Sequence, residues 1–231
     1  CSVADVQREC PQLQTAQLKG AALYYDAQMA DKGLVLANIA DAKAHGAQVY
    51  EQAQVTSLLF QDKQVVGVCC EHNGTAIELL GKTVMNATGA WSNDIAQMDQ
   101  GLSMDLVAPT KGVHLVVPDI GLTQGLTLEV PHDKRIFFVL PWEGKTLIGT
   151  TDTPYEGHPD DVVVNAEDRA YLLEASSAYL TTTPFKQTDI VDEFVGLRPL
   201  QFSVKGASKR SREFSLFQSS SGAFHLFGGK Y

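Results

Sequence analysis

Hydrophobic positions along this chain fall mostly in short runs, and few stretches carry the wider spacing of a helix. Between Ala53 and Thr88 the runs AQVTSLLF, QVVGVCCEH, TAIELL and KTVMNAT are apolar or alternate polar with apolar. A two-residue repeat predicts strands, because successive side chains point to opposite faces. Gln61-Asp62-Lys63, Asn73-Gly74 and Gly81 separate them, and Asn73-Gly74 predicts a hairpin, since both residues tolerate positive φ. Ahead of this meander, Leu36, Ile39, Ala40 and Ala44 recur at three- and four-residue spacing. They predict a helix over Met29–His45, with Asp31 in its first turn, Gly46 as its stop and Gly33 as an unfavourable interior residue.

After Asp94 the texture changes. Strands are expected over Gly112–Val117, Thr127–Val130, Ile136–Leu140, Thr146–Thr151, Ile190–Leu197, Glu213–Phe217 and Ala223–Phe227, and a short one over Gly20–Tyr25. One helix interrupts them, Asn165–Leu180, capped by Asn165 and striped by Tyr171, Leu172, Ala175 and Tyr179. The basic stretch Lys205–Arg212 reads as an exposed loop. Strands outnumber helices and βαβ signals are few, so the expected fold class is α+β with a mixed, mostly antiparallel sheet.

A length of 231 residues suits one large domain or two small ones. The formal net charge of −9 speaks against nucleic acid as a partner, because such binding neutralises phosphates with Lys and Arg. It leaves room for a local cationic pocket. Cys1, Cys10, Cys69 and Cys70 form no C-x-x-C pair, which predicts free thiols in a reducing compartment and a cytoplasmic location. No apolar run reaches the ~18 residues of a spanning helix. There is no basic-then-apolar leader, and Cys1 is not an initiator, so the chain is expected to start inside a longer polypeptide or after processing.

Several chemistries lack their motif. G-x-G does not occur, nor do G-x-S-x-G, the P-loop string or H-E-x-x-H. Four other strings carry the candidate chemistry. NATGAW (Asn86–Trp91) puts Gly89 after a buried strand, where a glycine permits close approach of backbone to a ligand. KGVHLVVP (Lys111–Pro118) centres on His114, a proton acceptor near working pH or, read alone, a packing residue. RIFFVLPW with LIGTTDTPYEG (Arg135–Gly157) reads as a hairpin. Asp152 can fix its loop, and Arg135 faces either solvent or substrate. GLRPL ends a strand on Arg198, a planar fork of donors suited to phosphate or alkoxide. SREFSL adds Arg212, and FGGK closes with Gly228, Gly229 and Lys230. His45, His72, His132, His158 and His225 read as surface or structural.

From about Tyr24 to Lys230 these strings together resemble the FAD-dependent glycerol-3-phosphate dehydrogenases. The resemblance implies a flavoprotein that oxidises sn-glycerol 3-phosphate to dihydroxyacetone phosphate. Hydride passes from the secondary carbon to FAD, and electrons pass on to a quinone. It implies His114, Arg198 and Lys230 at the reacting carbon, Arg212 and Lys111 on the substrate, and Val55, Ala87, Thr88, Gly89, Gly228 and Gly229 on the cofactor, with no metal. It places residues 1–25 as a lead-in to the substrate domain, 26–95 in a partial FAD-binding domain, 96–217 in a β-rich substrate domain and 218–231 back at the flavin. Its members sit peripherally on the cytoplasmic face of the inner membrane. The family's Rossmann glycines are not among these residues, so the 231 residues alone are expected to purify without FAD. Two other readings stay open: an oxygen-using flavin oxidase of a related hydroxy or amine substrate, and an inert substrate-binding module.

Overall fold

The computed structural model describes residues 1–102, 104–181, 184–202 and 213–229. Arg212, Lys230 and the basic loop expected over 205–212 lie outside the described residues. In chain order the elements are helix α1 (Val3–Glu9), helix α2 (Asp31–Ala44), strands β1 (Ala53–Gln61), β2 (Gln64–His72), β3 (Thr75–Leu80) and β4 (Met85–Asn86), and helix α3 (Ser92–Met98). Strands β5 (Thr110–Pro118), β6 (Leu126–Glu129), β7 (Ile136–Trp142), β8 (Lys145–Gly149) and β9 (Thr153–Pro154) follow. Helix α4 (Ala166–Ser177) precedes β10 (Asp192–Arg198), β11 (Phe214–Gln218) and β12 (Phe224–Gly228).

The chain divides into two units. The first is Cys1–Tyr25 with Thr110–Leu197, and the second is Asp26–Pro109 with Arg198–Tyr231. The expected boundaries at 95/96 and 217/218 therefore shift. Residues 96–109 stay with the second unit because Ala96, Leu106 and Val107 bury against Phe217 and Phe227. Backbone bonds tie the same segment to 200–202: Ala108 N–H to the Leu200 carbonyl, and Phe202 N–H to that of Leu106.

The first unit is built on a six-stranded sheet ordered β10-β5-β8-β7-β6, with β9 also paired to β5. Period-two alternation decides its faces. Val113, Leu115 and Val117 of β5 point one way and are 0% exposed, with Phe137, Val139 and Ile148 beside them. Leu172 and Ala175 of α4, Val6 of α1 and Cys10 just after it cover that face. Both helices start on reciprocal caps, Ser2 with Asp5 and Asn165 with Asp168. Strand β8 stops at Gly149 rather than Thr151, because Thr151 joins the ladder through its hydroxyl. Its Oγ1 accepts from Val113 N–H and donates to the Lys111 carbonyl. The strand expected over Gly20–Tyr25 does not form; Ala21 is instead tied to Cys1 by two backbone bonds.

The second unit carries two three-stranded sheets, β1-β2-β3 and β11-β12-β4. The Asn73-Gly74 hairpin forms as expected, with both residues at positive φ. Helix α2 forms, but none of its residues is buried: Leu36, Ala40 and Ala44 of the stripe are exposed and Ile39 is half-buried. Strand β4 shrinks to Met85–Asn86, paired parallel to β12.

Candidate functional site

In the first unit the site grows from β5. With Val113 and Leu115 turned to the core, His114 must face the other side of the sheet. There its ring stacks on Phe194 of β10, with centroids 4.9 Å apart and planes at 16°. Trp142 continues the aromatic row, 6.4 Å from Phe194. Across β8, His114 pairs with Gly149. A Cβ built on Gly149 would lie 2.1 Å from His114 Cδ2, so the imidazole rests over a position that tolerates only glycine. Phe194 and Gly149 thus fix the plane of the ring before any substrate arrives.

Two other cations of this unit serve the scaffold. Lys111, expected on the substrate, is buried with its Nζ 2.6 Å from Asp168 Oδ2. The same carboxylate oxygen accepts from Asn165 N–H in the cap of α4. An ammonium so enclosed ties β5 to α4. Arg135 donates through Nη1 to the Asp152 carbonyl at 2.8 Å and lies 3.5 Å from Asp133 Oδ2. The loop is therefore held from the Arg135 side chain through the Asp152 backbone carbonyl. Asp133 also accepts from the Tyr171 hydroxyl. Burial, reinforced by Asp133, pushes that phenol up to about 12 and keeps it a donor.

In the second unit the parallel β4–β12 pairing matches Met85 with Phe224 and Asn86 with His225. Parallel neighbours run the same way, so Ala87-Thr88-Gly89 follows β4 and Gly229 follows β12, whose last residue is Gly228, both at strand carboxyl ends, where α/β folds commonly take ligands. Gly89, Gly228 and Gly229 hold φ of 59°, 76° and 72°. A Cβ on Gly89 would meet nothing within 4 Å, so its backbone stands beside open space. Ala87 and Thr88 are exposed beside it. Bare, positive-φ backbone such as that of Gly89 fits the approach of a dinucleotide, and Ala87, Thr88 and Gly89 fit FAD, whereas a Cβ on Gly228 would lie 2.7 Å from the Glu213 carbonyl oxygen, so that glycine is already required by its own strand pair. Val55 lies on β1, in the other sheet of the same unit, opposite Cys70.

Arg198 is the last residue of β10 and falls in the second unit, whereas His114 falls in the first. Its carbonyl accepts from Leu200 N–H, which turns the chain sharply across Pro199. Arg212 and Lys230 lie outside the described residues. Sequence reasoning missed Phe194 and Gly149 as supports of His114. A glycine ending an apolar strand does signal close approach, which is the clue Gly149 offered. It also passed over His225, which is fully buried beside Asp99 and Asn86.

A family model for FAD-dependent oxidoreductases (DAO) matches residues 2–229. The chain is 33% identical over 228 residues to a mitochondrial glycerol-3-phosphate dehydrogenase of Arabidopsis thaliana, covering 93% of this chain and 35% of that protein. It is 36% identical over 197 residues to an alpha-glycerophosphate oxidase of Enterococcus casseliflavus, covering 82% of this chain and 32% of the relative. The X-ray structure of a glycerol-3-phosphate dehydrogenase from Bacillus halodurans complexed with FAD superposes with a TM-score of 0.90 at 30% identity, over 99% of this chain and 45% of that one. The chain thus spans less than half the length of each. With a site on β5, a glycine-lined pair of loops after β4 and β12, and a family match over nearly all its length, the chain belongs to the DAO family of FAD-dependent oxidoreductases.

Proposed function

We propose that the enzyme carrying this chain oxidises sn-glycerol 3-phosphate to dihydroxyacetone phosphate and passes the electrons to a quinone. The observation that carries this reading is the superposition of nearly the whole chain on the FAD-complexed dehydrogenase at a TM-score of 0.90. FAD, when bound, supplies the hydride acceptor. Gly89, Gly228 and Gly229 offer it backbone, with Ala87, Thr88 and Val55 as further contacts. His114 takes the hydroxyl proton onto an imidazole nitrogen as the carbon loses hydride. Arg198 and Lys230 hold the oxygen on the reacting carbon, and Arg212 holds the phosphate, whose binding energy orients the carbon.

Product and acceptor are tested together. Quinone reduction accompanied by dihydroxyacetone phosphate, without hydrogen peroxide, is the expected result. Peroxide released at the rate of substrate loss would move the reading to an oxidase, which the 36% identity to the Enterococcus casseliflavus oxidase favours. The same proposal puts the enzyme in the cytoplasm, peripheral on the inner membrane. Among the described residues no helix is long and apolar enough to cross a membrane. Release from washed membranes by salt, without detergent, is the check.

Arg198→Lys should lower kcat/KM by more than tenfold. A planar fork gives way to a point charge, and a charge-assisted bond contributes about 1.5–3 kcal/mol. Steady-state kinetics decide it, and wild-type values in the variant would take Arg198 out of the site.

A further inference from the structure

A buried polar chain runs through the second unit to the end of the A-T-G loop. Asp99, at the end of α3, His225 on β12 and Asn86 on β4 are 1%, 0% and 3% exposed. His225 Nε2 lies 2.9 Å from Asp99 Oδ2, and His225 Nδ1 lies 3.2 Å from Asn86 Nδ2. Asn86 Nδ2 also donates to the Ser92 carbonyl at 3.0 Å. On its other side Asn86 Oδ1 accepts twice from Thr88, from the hydroxyl at 2.7 Å and from the backbone N–H at 3.3 Å.

Each role in this chain is forced by its neighbour. The Asn86 amide cannot be flipped, because Oδ1 faces two donors and Nδ2 faces a carbonyl. His225 Nδ1 must then accept from Asn86. At the far end, burial pushes the Asp99 carboxyl up, but hydrogen bonds from Ser219, Ser221, Gly101 N–H and His225 outweigh it and hold it at about 2. Asp99 is therefore an acceptor, and His225 Nε2 must donate. One tautomer of His225 satisfies both ends, and Thr88 is held through it.

We propose that Asn86, His225 and Asp99 are positioning residues for the cofactor, a tether that holds Thr88 and with it the A-T-G loop in its ligand-ready conformation. His225 exposes no surface, so its effect on a ligand must travel through Asn86. Thr88, by contrast, is exposed at the loop where Gly89 leaves open space. A loop whose backbone N–H and hydroxyl are both fixed in the free protein loses less freedom when it binds. The proposal rests on the flavin reading, and its failure is separable from the failure of that reading.

The test uses the flavin enzyme that carries this chain. His225→Leu removes both ring bonds at similar volume, and His225→Gln keeps one acceptor and one donor. Leu should weaken FAD binding about tenfold, the order of a lost buried hydrogen bond, and blur the fine structure of the flavin visible band. Gln should return FAD affinity to within about threefold of wild type. A merely structural role would lower the Tm of the apoprotein and leave FAD affinity alike in Leu, Gln and wild type; that result overturns the tether while wild type still binds FAD. Should His225→Leu not fold, the surface pair Thr88→Val and Thr88→Ser carries the test, since the Val side chain cannot donate to Asn86 and the Ser hydroxyl can, while the backbone bond stays in both. Equal FAD affinity in Val and wild type overturns the proposal. A wild-type enzyme that takes up no FAD overturns the flavin reading and the tether with it.

Discussion

His114→Gln, in the flavin-loaded enzyme, should lower kcat by roughly 10²–10⁴, the range for a positioned acid or base. The imidazole is fixed by the stack on Phe194 and by the absence of a side chain at Gly149. Gln keeps approximate size and some hydrogen bonding but cannot hold the proton. KM should change much less, because the phosphate is assigned to Arg212 and not to His114. The acidic limb of the pH–rate profile, which reports the base becoming protonated, should disappear. A fall below about threefold with that limb intact would make His114 a packing residue. The base would then be Lys230 or a water held by Arg198.

Lys111→Met should unfold the first unit far more than it disturbs the substrate. It strands the Asp168 carboxylate, 5% exposed, leaving the Asn165 N–H as its partner on that oxygen among the described residues. Removing one partner of a buried pair costs about 3–5 kcal/mol. For a chain of this size that is a loss of roughly 6–20 °C in Tm. The double variant Lys111→Met/Asp168→Asn has no stranded charge and keeps the cap acceptor, so it should recover most of the loss. Thermal unfolding by circular dichroism checks both. Unchanged stability with a raised KM for glycerol 3-phosphate would return Lys111 to the substrate site.

What could be read from the sequence was the part fixed by local chemistry. The alternation of Val113, Leu115 and Val117 places His114 opposite the core without further information. The Asn73-Gly74 turn and the Asn165 cap are likewise signals carried by adjacent residues. What could not be read depends on partners distant in sequence. Lys111 reads as a substrate cation until Asp168, 57 residues on, closes over it. His225 looks like an odd polar residue in an apolar strand until Asp99, 126 residues back, accepts from it. The faces of Phe194 and Gly149 follow from their strands, but their meeting at His114 needs cross-strand register. Helix α2 shows the converse: its pattern predicts the helix correctly and says nothing about what covers it.

The central claim is that His114, Arg198 and the glycine loops belong to a flavin enzyme acting on glycerol 3-phosphate. Anaerobic mixing of the FAD-loaded enzyme with glycerol 3-phosphate, followed at the flavin band near about 450 nm, tests it most directly. Prompt bleaching by glycerol 3-phosphate, and none by glycerol at the same concentration, is the predicted result. A flavin left oxidised by glycerol 3-phosphate but bleached by an amine or another hydroxy acid would contradict it.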